Sequence, residues 1–244
     1  MSLSFNKRYK ESMKIMLSKT RAKSLENLVS EFQSKLNSNC KREVYYALHV
    51  SLLENWKVPR FRDCLEEQNV YIDGISISLV AKNMGLTDIF RSPTTDLVPL
   101  FFSSLPFDQK ITVGLIGGDE DLVSEMKYHV ETKYGFKVEY SLSGFIEKWS
   151  EQQLSIYRRP VDVLLVGMGM PLEVFFVHER LEHFDSKLII TCGGLFKFMT
   201  GLETRAPSLV RKLNLEWFWR MARNPRVLTR RYFVGAINLI RVLL

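Results

Sequence analysis

Cysteine and histidine are scarce in this sequence, with three Cys and four His among 244 residues. Cys40, Cys64 and Cys192 are odd in number and widely spaced, which argues against a disulfide framework and for a reducing compartment. His49, His129, His178 and His183 show no i, i+4 pairing, and no Cys/His spacing suits an ion, so no metal site is expected. No window approaches the roughly 20 apolar residues that span a bilayer. The opening stretch, "MSLSFNKRYKESMKIMLSKTRAK", lacks the apolar run of a signal peptide, so the expectation is a cytoplasmic chain. Internal repeats and low-complexity linkers are missing too. Acids are missing in one place above all. Of 34 Lys+Arg and 27 Asp+Glu, residues 207–244 hold eight and one, the single acid being Glu216. The net charge of +7 therefore sits in the tail, and residues 1–206 are balanced.

Short apolar runs rich in β-branched and aromatic residues recur at 43–50, 69–72, 111–116, 136–141, 161–167 and 188–194, and read as strands. Between them, "SLENLVSEFQSKL", "ISISLVAKNMGL", "DEDLVSEMKYHVETKYG" and "LEVFFVHERLEHF" carry the i, i+3, i+4 spacing of amphipathic helices. Alternation of this kind predicts an α/β fold with a mostly parallel sheet flanked by helices. Several strands run into glycine: Asp73-Gly74, Gly117-Gly118, Gly167 with Gly169, and Gly193-Gly194. Open α/β sheets bind ligands at these carboxyl ends, so the turns are the candidate site.

Each motif admits an ordinary reading beside a functional one. Asp73, at the end of a buried strand, is either an N-cap that satisfies helix amides or a general base facing a crevice. "VDVLLVGMGMPLE" reads G-x-G-x-P and lacks the third glycine of a dinucleotide fingerprint, yet its turn suits close approach to a phosphate. Asp119-x-Asp121 has the acid-x-acid spacing of metal-dependent sugar-nucleotide enzymes, but it opens a helix, where acids favour the positive dipole end. Capping is the preferred reading.

From Pro207 a helix is expected to run Leu209, Val210, Leu213, Trp217, Phe218 and Met221 along one face, as ordinary core packing. Arg220, Arg223, Arg226, Arg230 and Arg231 surround a turn at Asn224-Pro225 with no acid in sequence to pair them, and unpaired arginines call for anions. After Arg231 only Gly235, Asn238 and Arg241 interrupt an apolar run, three residues apart. That stripe fits a dimer or domain interface, or a helix lying in a membrane interface. Nucleic acid is disfavoured, since the basic residues form no extended stripe.

"YIDG", "GLIGG", "SGF", "PVDVLLVGMGMP" and the closing block CGG…F…G…RAP…LEWFWR…NPR…RRY appear in the order and spacing of the WecG/TagA/CpsF glycosyltransferases, glycosyltransferase family 26. The chain resembles this family from about Val44 to its end. The resemblance implies a Rossmann-like core over 1–206 and a basic, apolar helical appendage over 207–244 that touches the membrane and the donor. It implies transfer of a sugar from a nucleotide sugar, usually UDP-linked, to a polyprenyl-pyrophosphate-linked saccharide at the inner face of the cell membrane. The products feed surface polysaccharides such as teichoic acid or capsule. The chemistry would be inverting, metal-independent and free of cofactors, with Asp73 as general base. Substrate contact is expected from Gly74, Gly117, Gly118, Gly167, Gly169, Pro171, Glu173 and Gly194, and from Arg205, Arg220, Arg226, Arg230 and Arg231. A homo-oligomer or a partner transferase are the protein partners considered.

This sequence departs from the family pattern in three places. Ala47-Leu48-His49 replaces T-x-N, Pro171-Leu172-Glu173-Val174 replaces P-K-Q-E, and Phe196-Lys197-Phe198 replaces F-D-F. The departures imply either an altered donor or acceptor, or a catalytically silent relative that binds beside a partner transferase.

Overall fold

The computed structural model describes residues 7–38, 42–106 and 109–244; Cys40 and the side chains of Val227 and Arg231 lie outside the described residues. Six strands, β1 (Glu43–Leu48), β2 (Asn69–Ile72), β3 (Thr112–Gly117), β4 (Lys137–Leu142), β5 (Val161–Gly167) and β6 (Ser186–Thr191), form one sheet in the order β2-β1-β6-β5-β3-β4. Every described pairing is parallel. The helices, in chain order, are α1 (Lys7–Ser18), α2 (Leu25–Asn37), α3 (Ser51–Asn55), α4 (Pro59–Glu66), α5 (Ile75–Asn83), α6 (Thr94–Ser104), α7 (Glu120–Tyr134), α8 (Glu151–Ile156), α9 (Leu172–Glu179), α10 (Leu195–Met199), α11 (Ser208–Lys212), α12 (Glu216–Arg223) and α13 (Pro225–Leu243).

A parallel sheet must be covered on both faces, and alternate residues of each strand feed two separate cores here. Val44, Tyr46 and Leu48 of β1 pack with α1, α3, α4, α5 and α9 on one side. Tyr45 and Ala47 pack with α2, α6, α7 and α10 on the other. The connection after β1 therefore leaves on one face, and the one after β6 on the opposite face. Since β1 and β6 are neighbours, a crevice opens between their carboxyl ends, which is where ligands bind in such sheets.

The tail departs from the expected continuous helix. Asn214 adopts a left-handed backbone (φ 58°) that ends α11 and forces a new start at α12. Leu209, Leu213 and Phe218 are 67%, 60% and 54% exposed, so the core-packing reading of that face is overturned. Asn224 and Pro225 then open α13, proline occupying a first-turn position where its missing N–H costs nothing.

On α13 the small and polar stripe faces inward. Leu228, Gly235, Asn238 and Val242 are buried, while Phe233, Ile237 and Ile240 project outward. Glycine is required at 235, because a Cβ there would stand 2.3 Å from Val50 Cγ2. This close approach seats α13 on α3 and α5, beside the crevice. Among the described residues, no helix is long and apolar enough to cross a membrane.

Candidate active site

A cavity of about 380 Å³ fills the crevice at the ends of β1, β2 and β6, beneath α12 and α13. Its core-side lining includes Ala47, His49, Asp73, Gly74, Arg91, Thr94, Gly169, Cys192, Gly193, Gly194 and Phe198. The tail supplies Asn214, Glu216, Trp217, Arg220, Tyr232, Ala236 and Leu239. The appendage is thus part of the wall.

Asp73 follows β2 directly. Its amide and that of Gly74 both donate to the Leu48 carbonyl at 3.0 Å, which locks the turn to the end of β1. The N-cap of α5 is Gly74, with no side-chain cap, so Asp73 does not cap the helix that follows it. Its Oδ1 accepts the Thr94 amide instead, at 2.6 Å, where α6 begins. One carboxylate oxygen is held in place. Among the described residues no hydrogen bond engages Oδ2, and Asp73 lines the cavity.

Arg91 connects this turn to the tail. Its Nε donates to the Asp73 carbonyl at 2.9 Å, Nη1 reaches Asn214 Oδ1 at 3.3 Å, and Nη2 reaches Glu216 Oε2 at 3.4 Å. Arg205 ion-pairs with Asp96, one nitrogen–oxygen contact being 3.1 Å, and stands 3.9 Å from Glu216. The Asp96 hydrogen bond raises the Arg205 pKa against the opposing effect of burial. Arg205 therefore braces the start of α12 from outside the cavity lining. Below the cavity, burial first, then the Glu173 and Asp73 carboxylates, push the Cys192 thiol well up, so it is a neutral part of the wall.

Glu173 is fully buried and does not line the cavity. Its Oε2 accepts the Gly169 amide at 2.8 Å and the Gly193 amide at 3.1 Å, tying the turns after β5 and β6 together. Arg220 lies with its guanidinium over the Phe198 ring, 4.9 Å from the centroid, and its Nε is 3.4 Å from Glu203 Oε1. It has an acid partner after all, one contributed by the loop before residue 207.

Of the residues expected to contact substrate, the cavity gathers Asp73, Gly74, Gly169, Gly194 and Arg220. Gly117, Gly118, Gly167 and Pro171 lie outside its lining. Gly117 (φ 153°) is needed for another reason: a Cβ would fall 2.4 Å from the Gly167 carbonyl oxygen, where β3 and β5 end side by side. Arg226 and Arg230 are exposed on α13, away from the cavity. The Arg231 call falls on a side chain outside the described residues. Asp119 caps α7, its Oδ1 accepting the Leu122 amide at 2.9 Å, in keeping with the capping reading. Among the described residues, no group of three His, Cys, Asp or Glu side chains is placed to hold a metal ion. Arg91 and Thr94 went unnoticed in the sequence because nothing in their spacing marks a loop residue that reaches back to a strand end.

A parallel six-stranded sheet covered by helices on both faces, with a carboxylate at a strand end and a basic tail across it, defines an α/β protein with a crevice at the carboxyl edge of its sheet. The model of the glycosyl transferase WecG/TagA/CpsF family matches residues 13–244, and the chain belongs to that family. Two curated relatives carry the name N-acetylglucosaminyldiphosphoundecaprenol N-acetyl-beta-D-mannosaminyltransferase. The protein from Bacillus spizizenii is 28% identical over 172 residues, covering 68% of this chain and 65% of the relative. The protein from Bacillus subtilis is 29% identical over 118 residues, covering 48% and 46%. The chain thus matches less than two thirds of the length of either relative.

Proposed function

We propose that the chain transfers a sugar, N-acetylmannosamine being the first to test, from a UDP-linked donor to a polyprenyl-pyrophosphate-linked saccharide. The observation that carries this reading is Asp73, held through Oδ1 and lining a cavity walled by the basic tail. The names of the two relatives supply the acceptor class and the sugar.

In this reading Asp73 Oδ2 takes the proton of the acceptor hydroxyl as its oxygen attacks the anomeric carbon. The bond from that carbon to the β-phosphate oxygen breaks on the opposite face, which inverts the centre. Negative charge develops on the departing UDP, and a preorganised cation or amide dipole there lowers the barrier. Arg220 and the Gly193–Gly194 turn, which line the cavity, are the groups assigned this role. Arginine in this role makes the reaction metal-independent.

The outward ridge of Phe233, Ile237 and Ile240, with exposed Arg226 and Arg230 on the same helix, fits the surface of an anionic membrane that carries the acceptor. Cations near such a surface gain roughly 1 kcal/mol each.

The test is a panel of UDP-linked N-acetylhexosamines with a short-chain polyprenyl-pyrophosphate N-acetylglucosamine acceptor, in EDTA. Release of UDP matched by a glycosylated lipid product supports the reading. A chain that forms neither with any donor is a binding relative and not a transferase, and activity restored only by Mg²⁺ or Mn²⁺ rules out the metal-free chemistry.

A further inference from the structure

Glu203 lies outside every motif of the sequence and outside the cavity lining, in the loop between α10 and α11. Its amide donates to the Lys197 carbonyl at 2.8 Å, which folds the loop back on α10. This places the carboxylate, 17% exposed, at 3.4 Å from the Nε of Arg220. The guanidinium is then flanked on two sides. Its flat face rests over Phe198, itself part of the cavity wall, and the Glu203 carboxylate stands against its Nε side as an ion pair without hydrogen-bond geometry. The edge that remains carries the terminal nitrogens, and Nη2 reaches to 3.6 Å from the point where a Gly194 Cβ would be.

A guanidinium binds phosphate oxygens best through its planar fork of nitrogens. Left to itself, an arginine on a half-exposed helix samples many rotamers, and a ligand must pay to order it. Here the ordering is done beforehand, by an aromatic face and a carboxylate contributed by the core.

We propose that Glu203 is a positioning residue for donor binding, its negative charge keeping the Arg220 guanidinium in place so that its terminal nitrogens meet the donor pyrophosphate at the Gly194 turn. This rests on the reading of the cavity as a nucleotide-sugar site. Glu203 itself touches no substrate. Because Glu203 precedes residue 207 and Arg220 follows it, the same pair aligns the tail on the core when the site is complete.

The experiment is a double-mutant cycle on the full chain, with the affinity for UDP measured by titration calorimetry for wild type, Glu203→Gln, Arg220→Ala and the double variant. Glu203→Gln keeps size and hydrogen-bonding capacity and removes the charge. Its expected Kd for UDP is roughly 3- to 15-fold weaker, the effect of one rotamer-rich side chain left unordered, with an unchanged thermal midpoint. In the Arg220→Ala background the same substitution is expected to have no further effect, since Glu203 acts only through Arg220. A role in folding alone would shift the midpoint and persist in that background. If Arg220→Ala weakens UDP binding while Glu203→Gln leaves it within twofold of wild type, the positioning role is wrong and the donor reading stands. If neither wild type nor variants bind UDP, or if Arg220→Ala binds it as well as wild type, the donor reading of this wall falls and the proposal with it.

Discussion

Replacing Glu173 with alanine removes Oε2, the oxygen that accepts an amide from each of two turns at once. The Gly169 and Gly193 amides, at 2.8 and 3.1 Å, each lose a hydrogen bond to a fully buried side chain. A buried amide left without its acceptor costs about 1–3 kcal/mol, and water reaching the vacated space recovers part of that loss. The net cost is therefore expected at about 2–4 kcal/mol. For a domain of this size that corresponds to a fall in Tm of roughly 2–4 °C per kcal/mol. Glu173→Gln keeps one oxygen as acceptor and is expected to cost about half as much. Because Gly169 and Gly193 line the cavity, turnover should fall with stability in the alanine variant. Urea denaturation followed by fluorescence reads the difference. An alanine variant within about 0.5 kcal/mol of wild type would show that Glu173 does not tie the turns together.

Arg220→Ala is expected to lower kcat/KM for the donor by about 10²-fold with a short water-soluble acceptor and no membrane, the loss typical of removing a charge-stabilising donor; an unchanged value would reduce the arginine to a surface cation. Gly235→Ala should lift α13 from Val50 and lower both stability, by about 1–3 kcal/mol, and activity, while adding Val50→Ala should restore most of both. If the second substitution rescues nothing, the close packing is not what seats the helix. Burial raises the Asp162 pKa, but hydrogen bonds from the Thr112 amide and hydroxyl and the Lys187 ammonium outweigh it and hold the pKa below the usual value. A depressed carboxylate stabilises the fold above the unfolded pKa near 3.9, and that stability is lost as pH falls through the folded value. Asp162→Asn should thus be destabilised at pH 7 and converge on wild type in acid unfolding as pH falls through the folded value; a gap that does not narrow on acidification contradicts the assignment.

The sheet was readable in the sequence because its strands are buried on both faces and appear as short β-branched runs, so strand positions agree to within three residues. The run ending at Gly194 is the largest excess, since Cys192, Gly193 and Gly194 already turn into α10. The six-residue apolar stretch inside α6 gives no clear helical period, and Pro99 within it obscures the signal further. Asp73 was readable as a strand-end acid, but its capping of α6 from a distance was not, because that bond joins residues 21 apart. The stretch 209–221 reads as one helix, although it is split into α11 and α12, because periodicity cannot register a left-handed residue such as Asn214. Arg220 read as unpaired for a related reason. Glu203 lies 17 residues before it in the chain, and only the fold brings them together.

The most direct measurement is single-turnover transfer of a radiolabelled N-acetylhexosamine from its UDP donor to the lipid-linked acceptor, by wild type and by Asp73→Asn. The amide keeps the size of the side chain and its bond to the Thr94 amide, but takes no proton. The expected result is glycosylated lipid from wild type and a rate 10²–10⁴-fold lower from Asp73→Asn, with UDP affinity retained. Near-wild-type transfer by Asp73→Asn would contradict the assignment of Asp73 as the base on which the whole site is built.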